Sequence, residues 1–291
     1  MDDDGEITVR AGAAHRAANE WGLVLAAAAI PYRLARDGGG WRVVVDAGDA
    51  ARAVEALEAF EREERRPTAP AARVEPEWGP TPAGAVMGAA LVVVYRMAGP
   101  RAAHGAWFTA GSADAARILH GEWWRTVTAL TLHADPSHLI GNLGAGVVLA
   151  TAVCRTVGPG VGAWLVLLSG VLGNAITALV TGAPHDAVGA STAVLGAVGV
   201  LSGVAIVRAR RALGIRGRAW LPLGAGLALL AMLGSGHGTD LTSHLFGFVA
   251  GIGLGAGAGV LPLPSRGAQY VLAAGALAAV GGSWVLALGA R

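Results

Sequence analysis

From residue 83 to the C-terminus the chain is a succession of apolar stretches separated by short polar ones. About 20 predominantly apolar residues are needed to cross a bilayer as a helix. Seven stretches qualify as candidate spans: Ala83–Gly99, Leu139–Thr156, Ala163–Val180, Ser191–Val207, Leu221–Gly234, Leu241–Val260 and Ala268–Leu288. A segment in lipid must satisfy its own backbone N–H and C=O groups, so these are predicted as helices. The fold class is therefore an all-α polytopic membrane protein, a bundle of about seven transmembrane helices with a small soluble α+β domain before it. Charge supports this: 14% of residues are charged, against about 25% in soluble domains. Beyond residue 130 the only carboxylate side chains are Asp135, Asp186 and Asp240.

Residues 1–66 hold most of the acidic residues and read as a separate cytoplasmic module of order βαββα. Ile7–Arg10 and Trp41–Val45 are strand candidates, Pro31–Leu34 is extended, and His15–Ala29 has helical spacing. Asp49 is placed to cap a second helix whose apolar face is Ala50, Val54, Leu57 and Phe60. Nothing in this module carries recognisable chemistry; a cytosolic partner is its expected role. Residues 67–82, with five prolines, form a stiff linker to a membrane domain over 83–291. The start Met1-Asp2-Asp3-Asp4 is acidic, so no cleavable leader is predicted and targeting is expected from the internal apolar segments. The sole cysteine, Cys154, lies in an apolar run and is read as a small buried filler.

Arginine placement sets the expected orientation. The stretch 208–218 holds Arg208, Arg210, Arg211, Arg216 and Arg218, whereas 181–190 and 235–240 hold no arginine. The basic loop and the N-terminal module are thus predicted on the cytoplasmic side of the cell membrane. The second, fourth and sixth spans then all run inward from the outer face. Ser191 and His244 are each predicted about four residues past the start of their spans, so they share a depth of roughly 5–8 Å. His138 and Asn142, four apart at the top of the second span, share one face at that depth.

Polar side chains inside a membrane face the bundle interior or a water-filled cavity. Taken singly, each has an ordinary reading. A serine in a membrane helix packs or hydrogen-bonds between helices, and a histidine can do the same. His133 and His138, five apart, do not share one helix face, and no H-E-x-x-H pair is present, so no metal and no cofactor is expected.

Together, these residues resemble the rhomboid family of intramembrane serine proteases. Trp124-Arg125 is similar to the family's pair in the first external loop. His133-Ala-Asp-Pro-Ser-His138-Leu-Ile-Gly-Asn142 fits H-x-x-x-x-H-x-x-x-N; Gly189-Ala190-Ser191 fits the nucleophile motif; His244-Leu-Phe-Gly247-Phe-Val-Ala-Gly251 fits the pattern of the sixth span. The resemblance implies a six-helix core with one extra C-terminal helix. It implies a Ser191–His244 dyad and an oxyanion site made by the Ser191 N–H with His138 and Asn142. His133 is expected to tie the loop to the top of the second span, and Trp124 and Arg125 to anchor the loop at the membrane interface. Gly189, Gly196, Gly199, Gly247 and Gly251 are expected as helix-packing positions.

Two neighbours depart from the family pattern. Thr192 stands where many members have glycine, and Leu195 where an aromatic ring often packs on the histidine. By the same resemblance the substrates are single-span membrane proteins cut near the outer face, after local unwinding and beside small residues. Residues 219–236 and 235–240 are the expected gate and lid, and the last span, with Trp284, is expected to face lipid or a lateral partner. The partners are then such substrates and the lipid bilayer, with no nucleic acid. Two other functions compete: an inactive rhomboid-like protein that binds membrane clients, and a transporter using His133, His138 and His244.

Overall fold

A computed structural model of the chain describes residues 5–65, 78–103, 105–213 and 240–290, with Gly224 and Ala228 besides. The chain divides into two units, Met1–Arg73 and Val74–Arg291. In the first, the strands β1 (Glu6–Ala13), β2 (Arg33–Asp37) and β3 (Gly40–Asp46) form an antiparallel sheet of order β1-β3-β2. The helices α1 (His15–Ala27) and α2 (Ala50–Arg65) complete the βαββα order. Its core is Leu25, Ile30, Val43, Val45, Ala53 and Leu57. The face of α2 on this core is Ala50, Ala53 and Leu57, while the Asp49 carboxylate pairs with Arg52.

The second unit is helical. Six of its helices are long and apolar enough to cross a membrane, counting the described residues only. They begin with α3 (Ala83–Ala98). The connection that follows contains α4 (Ala106–Gly111), β4 (Ala113–Asp114), α5 (Ala115–Leu119) and α6 (Arg125–Thr128), then a single 3₁₀ turn, Ala129–Thr131. Next come α7 (Pro136–Val157) and α8 (Pro159–Thr181), the short strand β5 (Asp186–Ala187), α9 (Ser191–Leu213), α10 (Leu241–Val260) and α11 (Arg266–Gly289). The fifth expected span, 221–234, and the expected gate and lid, 219–236 and 235–239, lie outside the described residues apart from Gly224 and Ala228.

The bundle interior is aliphatic: Val153, Val157, Val166, Ala197, Val200 and Val204 pack together between α7, α8 and α9. Where two of these helices start, a carboxylate supplies the cap that an N-terminus needs for its free N–H groups. Asp135 accepts from the His138 N–H at 2.8 Å, and Asp240 from the Ser243 N–H at 3.1 Å. The carboxylates at the mouths of α7 and α10 thus each cap a helix start.

The last helix differs from its expected role. Trp284 is buried, in a cluster with Phe108, Ala110, Leu132 and Ala287, and its indole N–H donates to Thr131 Oγ1 at 3.0 Å. At the other end of α11 the fully buried Gln269 accepts from the Gly160 and Val161 amides, both at 2.8 Å, and donates to the Val157 carbonyl. These amides are the free donors at the start of α8. α11 is fastened into the bundle at both ends, and only part of its surface is left for lipid.

Candidate active site

Ser191 is the first residue of α9, not a residue one turn inside it. Gly189, with φ of 130°, turns the chain into the helix, and this is a conformation that a side chain at that position would strain. A Cβ on Gly189 would also lie 2.7 Å from His138 Nε2. Gly189 is therefore a turn and clearance residue; the expectation that it packs helices is corrected. Two bonds fix the turn to the segment 129–133. The Gly189 N–H donates to the Ala129 carbonyl at 2.9 Å, and the Ala190 N–H to His133 Nε2 at 3.4 Å. As a helix N-terminal residue, Ser191 has a backbone N–H with no intrahelical acceptor.

His244 stands in the first turn of α10 and is buried. Its Nε2 lies 2.6 Å from Ser191 Oγ, within hydrogen-bond reach of a nucleophile and its base. Among the described residues, its Nδ1 has no hydrogen-bond partner. The close approach comes from the seam between α9 and α10. A Cβ on Gly247, Gly251 or Gly255 would lie 2.4, 2.1 or 2.2 Å from the carbonyl oxygen of Thr192, Gly196 or Val200. From the other side, Gly199 and Gly203 face the carbonyls of Phe248 and Ile252 at 2.2 and 2.3 Å. The matched four-residue steps show that the two helices run parallel, backbone against backbone, with their N-termini at the same end. Leu195 packs on Phe248, one turn beyond His244, so the aromatic ring near the histidine comes from α10.

His138 is half-buried, and its imidazole and Ser191 Oγ border the same space beside Gly189. Asn142 is buried, and its amide donates to the His138 carbonyl at 2.9 Å, within its own helix. The hydrogen bond of His133 goes to the turn before Ser191, while its ring lies against the start of α7. Its ring meets that of His138 edge-on, centroids 5.2 Å apart. Accepting at Nε2 puts the proton of the neutral ring on Nδ1, which faces the Thr131 carbonyl without a well-formed hydrogen bond. Burial, and then the neighbouring His138, lower the His133 pKa from 6.5 to about 4, against the Thr131 carbonyl and Asp135.

Between pH 6.5 and about 4 the unfolded chain binds a proton that the folded one does not. Stability present above 6.5 is therefore lost as pH falls through this window, by about 3 kcal/mol from this residue alone. Melting of the detergent-solubilised protein at pH 7.5 and 4.5 measures the loss, and His133→Gln is expected to shrink it.

Arg125 is not at a lipid interface. It is 1% exposed and closes the connection on itself, bonding Glu122 Oε2 at 2.6 Å and the carbonyls of Ser112 and Thr109 at 3.0 and 2.9 Å. Trp124 is half-buried against the cluster that holds Trp284. Arg125→Ala removes the donor to the buried Ser112 carbonyl, to the Thr109 carbonyl and to the nearer oxygen of Glu122. A loss of about 3–5 kcal/mol is expected, read as a lower melting temperature, whereas Arg125→Lys should recover only part, because an ammonium lacks the fork that spans three acceptors.

Some residues of the site were not anticipated. A cleft of about 10 Å³, bounded by Ala129, Asn174, Gly189, Ser191, Thr192, Asp240 and His244 among others, has room for about one water molecule. Asn174 donates to the Thr126 carbonyl at 3.0 Å, and Asp240 accepts from His185 Nε2 at 3.0 Å. An asparagine mid-span is a visible signal, since a buried amide in lipid requires a partner. Nothing in the sequence pairs His185 with Asp240. Among the described residues, no three His, Cys, Asp or Glu side chains gather as a metal site would require.

The family model of the rhomboid domain matches residues 120–259, which hold Ser191, His244, His138 and Asn142. Over these residues the chain carries a rhomboid domain. Two curated relatives, both of Bacillus subtilis (strain 168), are similar to it. Rhomboid protease GluP is 29% identical over 163 residues, covering 54% of this chain and 30% of that protein. Putative rhomboid protease YdcA is 29% identical over 134 residues, 46% of this chain and 66% of that protein. The chain thus spans less than two thirds of the length of either relative. With six helices of spanning length among the described residues and a rhomboid domain, it is a multi-pass membrane protein.

Proposed function

We propose that the chain is an intramembrane serine endopeptidase acting through a Ser191–His244 dyad. The observation that carries this reading is the 2.6 Å contact between Ser191 Oγ and His244 Nε2, held by the glycine seam of α9 and α10. Ser191 Oγ attacks the scissile carbonyl while its proton passes to His244 Nε2. Collapse of the tetrahedral intermediate breaks the C–N bond, and His244 returns the proton to the leaving amine. A water molecule, deprotonated by the same nitrogen, then hydrolyses the acyl-enzyme.

The oxyanion is received by the free Ser191 N–H and by His138, with Asn142 joining once its amide leaves the His138 carbonyl. Each such donor contributes about 10²–10³ in turnover. The substrate is a single-span membrane protein. Its peptide bond must leave its helix to reach a cleft this small, which favours small residues at the cut and helix-breaking residues beside it. The arginines of 208–218 support a cytoplasmic position for that end of α9, with the site, at the opposite end of the helix, open toward the outer face. Residues 1–66 then lie in the cytosol, free for a soluble partner.

The test is cleavage of a transmembrane substrate of known sequence by the detergent-purified protein, together with labelling by a fluorophosphonate. Both are expected to require Ser191. Cleavage that survives Ser191→Ala removes the assignment.

A further inference from the structure

The segment Ala129–His133 is the shelf on which the nucleophile turn rests. It receives the Gly189 N–H at the Ala129 carbonyl and the Ala190 N–H at His133 Nε2, immediately before Ser191. Something must hold the shelf, because a 3₁₀ turn of three residues has little stability of its own. Part of the hold is local: Thr131 Oγ1 donates to the Thr128 carbonyl, and Thr128 Oγ1 to the carbonyl of Gly111. The remainder comes from the far end of the chain. Trp284 of α11 donates its indole N–H to Thr131 Oγ1 at 3.0 Å and packs with Leu132, which is fully buried. The indole is itself wedged. Its ring centroid is 4.5 Å from that of Trp107, and a Cβ on Gly111 would come within 2.6 Å of it.

Trp284 lies beyond the residues that match the rhomboid family model, yet only Leu132 separates its acceptor, Thr131, from His133. We propose that Trp284 is a positioning residue for the reaction, acting through Thr131 and His133 to hold the Gly189–Ala190 turn and thereby aim Ser191 Oγ at His244. The last helix is then part of the catalytic scaffold. The inference rests on the reading of Ser191 as the nucleophile.

A structural role alone would lower thermal stability and leave the reactivity of the remaining folded protein unchanged. A positioning role changes the rate of the chemical step. The variants are Trp284→Phe, which keeps a ring in the wedge and removes the donor, Thr131→Val, which keeps the shape and removes the acceptor, and the two combined. They are compared in the full-length, detergent-purified protein, at a temperature well below melting, by the rate of fluorophosphonate labelling and by kcat and KM for a transmembrane substrate. Each single change is expected to slow labelling and kcat by about 3- to 10-fold, the worth of one hydrogen bond, with KM unchanged. The double variant should be no slower than Thr131→Val, which removes the Trp284 bond together with the one from Thr131 Oγ1 to the Thr128 carbonyl.

Wild-type labelling rates in both single variants would overturn the proposal, as would losses that multiply in the double variant and track its melting temperature. Failure of the wild-type chain to label, or labelling that persists in Ser191→Ala, removes the reading of Ser191 and the inference with it. Ser191-dependent labelling at an unchanged rate in Trp284→Phe removes the inference alone.

Discussion

Replacing Ser191 with alanine is expected to lower cleavage of a transmembrane substrate to within about 10³–10⁴ of the uncatalysed rate. The size of the loss follows from what remains. The variant keeps the Ser191→Ala backbone N–H, His138 and the cleft, so it still binds substrate and polarises the carbonyl; it has no atom with which to form the acyl bond. His244→Ala should cost nearly as much, since the hydroxyl at 2.6 Å then has no base. The double variant should be little worse than either one, because a nucleophile and its base act as a unit. Initial cleavage rates of the three proteins, each checked for an unchanged melting temperature, give the comparison. Losses that multiply in the double variant would mean that the two residues act separately.

The second large effect is expected from adding one methyl group, in Gly251→Ala. Its Cβ would stand 2.1 Å from the Gly196 carbonyl oxygen, so the two backbones must part by about 1 Å to restore ordinary contact. Five residues from Gly196, the same displacement takes the Ser191–His244 contact from 2.6 Å beyond hydrogen-bond reach. A misplacement of about 1 Å can cost about 10² in rate, and an overpacked seam adds about 1–3 kcal/mol of instability. Gly253→Ala is the control. It lies on the exposed face of the same helix, where a Cβ would meet nothing within 4 Å, and its activity should match the wild-type. Equal activity of the two alanine variants would show that the seam does not govern the site.

The spans and the site were legible in the sequence to different degrees. Apolar length alone marks the helices, because lipid admits few alternatives. The polar residues of the site stand out because they are rare in that setting: Ser191, His244, His138 and Asn142 are conspicuous against alanine, valine and glycine. What sequence spacing conveys poorly is where a helix begins. Gly189 and Ala190 continue the small apolar composition of α9, so the positive φ that starts the helix at Ser191 leaves no trace in hydropathy.

Tertiary partners were less legible. Arg125 and Trp284 each have the composition of an interfacial anchor, and only the fold shows their polar atoms turned inward to Thr109, Ser112 and Thr131. The seam was half visible. Gly247 and Gly251 form an evident pair, but its continuation through Gly255 is obscured by the glycines at 253 and 257, which touch nothing beyond their own helix.

Among the described residues the Nδ1 of His244 has no partner, and this has a kinetic meaning. In three-membered serine proteases, an acid at this nitrogen fixes the tautomer and stabilises the imidazolium, and disabling it costs about 10⁴ in turnover. An enzyme built on the proposed dyad works without that help and turns over slowly. On that proposed reading, a membrane protein that leaves before the slow step escapes uncut. Selection among substrates then rests on dwell time, so that a segment which lingers unwound at the cleft is cleaved and a stable helix departs intact.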